Sequence, residues 1–259
     1  MIAVTCASGQ TGRAVLAALE RADVAARPFV RRPHGLAGET VVDVREPEPL
    51  AAALRGVTAV YHLAPNMDRD EERMGAAVIA AAAAAGVERV VFHSVLRPQL
   101  RAMPHHIAKL RVEEALAESP LRWTVLQPGV YRQSLTGVRD GVLRVPFSLD
   151  ARFSPVDLDD VAEVAVHVLT TPGHDYAVYE LAGPDLLSVR DIAASLGVRA
   201  ERQALAAWDR DAAAAGMSAE VRAGFAAMWR FYDCHGLVGN PAVLRMLLDR
   251  APTAVGVEP

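Results

Sequence analysis

The chain has 259 residues, 52% of them hydrophobic, with 27 basic and 31 acidic side chains and a formal net charge of −4. That apolar content fills one large α/β domain, or one such domain with a smaller appendage. The mild negative charge and the lack of a basic run exclude a nucleic-acid-reading surface, and Cys6 and Cys234 are too few for a disulfide framework.

Residues 1–4 are all apolar and form a short buried strand. A turn with two glycines follows (Ser8, Gly9, Gln10, Thr11, Gly12), and residues 14–19 are helical. A strand, a glycine turn and a helix start make a phosphate cradle, because unpaired backbone N–H groups and the positive end of the helix dipole face the anion. Gly9 admits a close approach of backbone to a pyrophosphate, and Gly12 admits helix against strand. Cys6 stands where a dinucleotide turn has its first glycine, at a cost of about 1 kcal/mol if the site needs positive φ. The first strand leaves no room for a signal peptide, and the longest apolar stretch, 76–87, is too short to cross a bilayer. A soluble, cytoplasmic protein with reduced thiols is expected.

Strands are expected at 23–30, 40–43, 59–63, 89–94 and 123–126, with helices at 49–54, 69–85 and 107–118. Gly86 caps the second helix, and Ser119-Pro120 stops the third. This alternation predicts a doubly wound parallel Rossmann sheet. After about residue 130 the pattern loosens. A helix follows Asp159-Asp160, a strand spans 176–181, Ser188 opens a helix, and 204–248 is mostly helical with a break at Cys234-His235-Gly236. The expected division is a dinucleotide-binding domain over 1–150 and a small, mainly helical, substrate-facing lobe over 151–259, interleaved with it.

Arg31 and Arg32 end strand two. A carboxylate there binds ribose hydroxyls and favours NAD, whereas two guanidiniums match a 2′-phosphate and favour NADP; the plain alternative is a solvated cationic loop. Asp43 and the N–H of Val44 end strand three and either hold an adenine edge or cap the next helix. Leu63, Ala64 and Pro65 end strand four and line the adenosine side. Pro128 and Gly129 shape the nicotinamide end after strand six. Tyr131 beyond them either meets substrate or belongs to a simple turn.

The 27 basic residues include a single lysine, Lys109. Its retention suits a site needing a compact, tunable ammonium, for a nicotinamide ribose or for proton transfer; otherwise it lies on a solvated helix face. His105 precedes it by one helical turn and Ser94 ends strand five, so Ser94, His105 and Lys109 form a candidate catalytic group. His105 and His106 otherwise cap the helix. No metal site is expected, since His105-His106 lacks a third ligand at helical spacing and Cys234-His235 is isolated. Trp229, Phe231 and Tyr232 suit a roof over an aromatic substrate, helical core packing or a homodimer face.

These stations resemble the NmrA-like branch of the atypical short-chain dehydrogenase/reductases. Residues 5–12 are similar to that family's Thr-Gly-Ala-Thr-Gly-x-x-Gly. Val30-Arg31-Arg32, Asp43, residues 56–61, 93–96, 105–109, 113–116 and 123–129 follow, then Val156-Asp157, Asp160-Val161-Ala162 and residues 181–184. The resemblance implies an extended Rossmann domain with a small C-terminal lobe, and NADP(H) binding. Members include reductases of quinones, enones and benzylic ethers, and regulators that sense dinucleotide redox state without turnover. His105 stands where the parent superfamily's Tyr-x-x-x-Lys has its tyrosine, which removes the usual proton donor. The expected activity is NADPH-dependent reduction of a small aromatic, quinonoid or enone-like molecule, with a proton from His105, Ser94 or water. The alternatives are an NADP(H)-sensing regulator docked on a protein partner, and a redox-silent cyclase or isomerase. Neither nucleic acid nor membrane is an expected partner.

Overall fold

Three consecutive buried residues, Ile2, Ala3 and Val4, begin the chain as β1 (Ile2–Val4) in the middle of what becomes a seven-stranded sheet. The computed structural model describes residues 1–135 and 138–255. After β1 come α1 (Gln10–Arg21), β2 (Ala26–Val30), β3 (Thr40–Val41), α2 (Pro47–Ala53), β4 (Ala59–His62), α3 (Glu71–Ala84), β5 (Arg89–His93), α4 (Pro104–Ala117) and β6 (Arg122–Pro128). Then follow β7 (Val138–Arg139), β8 (Val142–Val145), β9 (Arg152–Phe153), α5 (Leu158–Thr170), β10 (Ala177–Leu181), β11 (Leu187–Ser188), α6 (Val189–Ser195), β12 (Arg199–Arg202), α7 (Leu205–Ala214), α8 (Ala219–His235) and α9 (Ala242–Leu248).

The main sheet runs β10-β6-β5-β4-β1-β2-β3, with every pairing parallel. The chain leaves β1 towards β2 and β3, then returns to place β4 on the other side of β1. That reversal opens a crevice beyond the carboxyl ends of β1 and β4, where ligands of open α/β sheets bind. The strands are apolar on both faces because helices cover both. On one face Val15 and Leu19 of α1, Val161 and Val168 of α5 and Leu244 of α9 pack together; on the other, Leu50 of α2, Val78 of α3 and Val112 of α4 do so. The expected doubly wound sheet is found.

A single cut at residue 150 does not separate two bodies. β10 pairs in register with β6, Ala177 opposite Thr124, and α5 and α9 cover the Rossmann sheet although all three follow residue 151. The smaller lobe begins earlier, at the β12-β8-β7 sheet, and its core joins Leu143 and Phe147 to Ile192, Met228 and Tyr232 and also to Leu96 and Met103. Its strands are only two to four residues long, and β9 pairs with a two-residue partner, so this part escapes a reading by alternation. The helix expected at 107–118 begins at Pro104, since proline lacks only an N–H that the first turn leaves unpaired anyway. Ser188 caps α6 in a reciprocal capping box with Asp191.

Candidate functional site: a cleft from the phosphate turn to an aromatic wall

The carboxyl ends of the central strands open into one cleft of about 900 Å³. Its first wall is the turn after β1. Cys6 adopts φ 46°, the left-handed conformation that a glycine takes without strain. Burial pushes its thiol up to about 11, so it stays protonated at neutral pH. The Gly9 N–H donates to the Cys6 carbonyl at 3.1 Å, and Gly9 is the N-cap of α1. A Cβ on Gly12 would lie 2.7 Å from both the Ala7 Cα and the Cys6 carbonyl oxygen. The helix therefore sits on the turn as closely as backbone allows. No acidic residue occupies the first turn of α1, so its positive end faces the cleft uncompensated.

Thr5 binds the two central strands together at the crevice. Its hydroxyl donates to the Leu63 carbonyl at 2.7 Å and accepts from the Leu63 N–H at 2.9 Å. With that proton committed, the 3.0 Å contact to His62 Nδ1 makes the imidazole the donor. Ala64 and Pro65 continue along the same cleft wall.

Arg31 and Arg32, after β2, are exposed, line the cleft and carry no ion pair among the described residues. Asp43 also lines it, but its carboxylate is held by Arg45 at 2.6 Å, which pulls its pKa down to about 2. Arg45 also pairs with Asp70 at 3.2 Å. The Asp43 side chain is thus committed to Arg45, and Val44 is left to present backbone. Arg45 went unread in the sequence; a cation two residues after an acid at a strand end is its only signal.

Ser94, His105 and Lys109 reach the same cleft, yet no hydrogen bond joins them to one another among the described residues. Each is committed elsewhere. The Lys109 ammonium is buried, donates to Glu71 at 2.9 Å and to the His93 carbonyl at 3.4 Å, and lies 5.5 Å from the centre of the Phe92 ring. Glu71, in the first turn of α3, is 3% exposed, so the pair is a buried one. The Ser94 hydroxyl donates to Glu113, which also accepts two bonds from Gln127 at 2.9 and 3.0 Å. Burial raises the Glu113 pKa against those donors. Ser94 therefore offers the cleft lone pairs rather than a proton. His105 stacks edge-on against His106, ring centres 4.5 Å apart, and burial takes it down to about 3, so it is a neutral imidazole at working pH. His106 donates from Nδ1 to the Arg97 carbonyl at 3.0 Å. Glu71 and Glu113 were also missed; the one available clue was that a lone lysine, if buried, needs a carboxylate.

Pro128, Gly129 and Tyr131 line the floor. The far wall is α8, where Phe225, Met228, Trp229 and Tyr232 face the cleft. Trp229 stacks on Phe225 and on Phe147 with ring centres 5.7 and 5.3 Å apart. Of the three aromatic residues singled out in the sequence, Trp229 and Tyr232 are in this wall and Phe231 packs on His235 instead, 4.8 Å between ring centres. Among the described residues no helix is long and apolar enough to cross a membrane, and no cluster of histidine, cysteine and acids forms a metal site.

Residues 6–172 match the NAD(P)H-binding family. The chain is 33% identical over 219 residues to an NAD(P)H azoreductase of Xenophilus azovorans, covering 78% of this chain and 74% of that protein. It is 35% identical over 210 residues to a (4-alkanoyl-5-oxo-2,5-dihydrofuran-3-yl)methyl phosphate reductase of Streptomyces griseus, covering 76% and 72%. Its fold superposes on a crystal structure of the Escherichia coli NADPH-dependent quinone oxidoreductase in complex with NADPH, with a TM-score of 0.85 and 24% identity over 98% of this chain and 97% of that one. The resemblance drawn from the motif stations holds, and the chain belongs to the NAD(P)H-binding family.

Proposed function

We propose that the protein is an NADPH-dependent reductase of a small aromatic, quinonoid or enone-like acceptor. One observation carries this reading: a single cleft runs from a backbone phosphate cradle, past two unpaired arginines and a buried lysine, to a wall of stacked aromatic rings. A dinucleotide diphosphate suits the turn at Ser8, Gly9, Gln10, Thr11 and Gly12, because a helix start with no acid of its own awaits an anion there. Arg31 and Arg32 would take a 2′-phosphate by charge-assisted bonds, and Val44, Leu63, Ala64 and Pro65 would flank the adenosine. The named relatives support the same chemistry, since both are reductases and the azoreductase uses NAD(P)H.

When bound, NADPH supplies a hydride. The chain supplies the rest. Lys109, neutralised by Glu71, ties the first half of α4 to the start of α3 and the end of β5 and would stand beside the nicotinamide end. Ser94, with its proton given to Glu113, accepts a hydrogen bond. His105 is an uncharged polar contact rather than an acid. The α8 rings exclude water and stack on a flat acceptor.

Loss of NADPH absorbance with quinone, azo and enone acceptors tests the reading. Turnover with at least one class is expected, and Lys109→Ala is expected to abolish it. No turnover with any acceptor would favour the second reading, a dinucleotide-sensing regulator, whose support is that Ser94 and Lys109 are both tied to carboxylates. A sensor requires unequal affinities for NADP and NADPH.

A further inference from the structure

The cleft floor contains a hydrogen-bonded chain of three rings that the reading above does not use. The Tyr61 hydroxyl lies 2.6 Å from His93 Nδ1, and His93 Nε2 lies 3.0 Å from the Tyr131 hydroxyl. Tyr61 is fully buried and His93 is 8% exposed, while Tyr131 is half-buried and lines the cleft. Burial, with the Lys109 charge and His62 acting in the same direction, takes His93 down to about 3, so its imidazole is neutral.

A neutral imidazole has one donor and one acceptor, so the chain has two polarities. In one, Tyr61 donates to Nδ1 and Nε2–H donates to Tyr131. In the other, Tyr131 donates to Nε2 and Nδ1–H donates to Tyr61. The second leaves the Tyr61 proton without an acceptor, since His93 is the hydrogen-bond partner of that hydroxyl among the described residues. An unmet donor in a dry interior is disfavoured by roughly tenfold to a hundredfold. The first polarity therefore prevails, and it leaves the Tyr131 proton unclaimed by His93. Tyr131 also hydrogen-bonds the Thr11 side chain, in the first turn of α1, whose rotatable hydroxyl donates or accepts as the phenol requires. Burial raises the phenol's pKa well above its ordinary value, so Tyr131 remains a donor across the working pH range.

We propose that Tyr61 and His93 form a buried directional pair that holds the Tyr131 hydroxyl as a hydrogen-bond donor to a carbonyl-type oxygen brought into the cleft. Tyr61 and His93 are positioning residues, and Tyr131 is the group that touches the ligand. This supplies a fixed donor where the tyrosine of Tyr-x-x-x-Lys is missing. The oxygen belongs either to the carboxamide of the dinucleotide or to the acceptor molecule. The inference rests on the reductase reading for its ligand but not for its polarity.

Long-range proton–nitrogen spectra of the histidine-labelled protein read the polarity directly, with His93→Gln identifying the signal. A protonated Nε2 and an unprotonated Nδ1 are expected for His93, and Tyr61→Phe is expected to give a mixture. The opposite tautomer in the wild type would overturn the proposal. Tyr131→Phe is expected to lower kcat/KM for a quinone about a hundredfold if the acceptor takes the bond, or NADPH affinity about tenfold if the carboxamide does. Unchanged values of both would also overturn it. Tyr61→Phe is expected to lose about tenfold alone and nothing further in a Tyr131→Phe background, whereas a merely structural role would persist there. A wild type inert with every acceptor fails the reductase reading; failure of this inference leaves the wild type active.

Discussion

The two ends of the cleft are made of different material. At the turn after β1 the wall is backbone: the start of α1 presents N–H groups between Gly9 and Gly12, and side chains matter chiefly by being absent. At the far end the wall is made of polar side chains, and nearly every one is tied to a partner from a distant part of the chain. Lys109 meets Glu71, Ser94 meets Glu113, and His93 meets Tyr61 and Tyr131. A backbone site fails by steric intrusion, and a site of buried polar pairs fails by leaving one partner alone. Substitutions at the two ends should therefore fail in different ways.

The largest effect is expected at Lys109. Lys109→Ala leaves the Glu71 carboxylate buried and unpaired, which costs about 3–5 kcal/mol. Replacing both partners, as Lys109→Met with Glu71→Gln, should recover much of that stability without restoring turnover. Urea unfolding of the three proteins separates the two contributions. If Lys109→Ala is as stable as the wild type, the ammonium is not the neutralising partner of Glu71.

Acid should act on the same end. His62 and His93 are buried and lowered to about 3 in the folded protein, chiefly by burial, against about 6.5 when unfolded. Between those values the unfolded chain binds protons that the folded one does not, so stability falls as pH drops from about 6.5 towards 3. Each should lose about 2 kcal/mol by pH 5. A urea midpoint that is flat from pH 7 to 5 would mean that these imidazoles reach solvent.

At the backbone end, Gly12→Ala forces a Cβ against the Ala7 backbone, and cores and close contacts overfilled in this way lose about 1–3 kcal/mol. Dinucleotide affinity should fall with it, because α1 must move off the turn. The smallest effect is expected at Cys6, where Cys6→Gly relieves the positive φ and changes thermal stability by about 1 kcal/mol or less, while leaving calorimetric NADPH affinity intact. A large loss of affinity in Cys6→Gly would give the thiol a role that its burial argues against.

The same contrast explains what a sequence discloses. The turn at residues 8–12 is local: its glycines, the strand before and the helix after lie within twenty positions, and each follows from periodicity and φ preference. That Arg31 and Arg32 line the cleft is legible because they follow directly on a strand end. Glu71 and Glu113 were not found, because Lys109 meets one across 38 positions and Ser94 meets the other across 19. Only the sheet order brings them together. The β7-β8-β12 sheet was missed for a related reason: strands of two to four residues carry too little alternation to register. Phe231 shows the limit on a helix, where an aromatic between the wall residues Trp229 and Tyr232 faces a different neighbour.

The proposed function places the 2′-phosphate of NADPH at the two guanidiniums of Arg31 and Arg32. Calorimetric titration of NADPH and NADH into the wild type and into Arg31→Ala/Arg32→Ala tests it most directly. The wild type should prefer NADPH by at least about tenfold, the scale of a single charge-assisted bond, and the double variant should bind the two alike with its NADH affinity unchanged. Equal affinities in the wild type, or a preference that survives removal of both arginines, would contradict it.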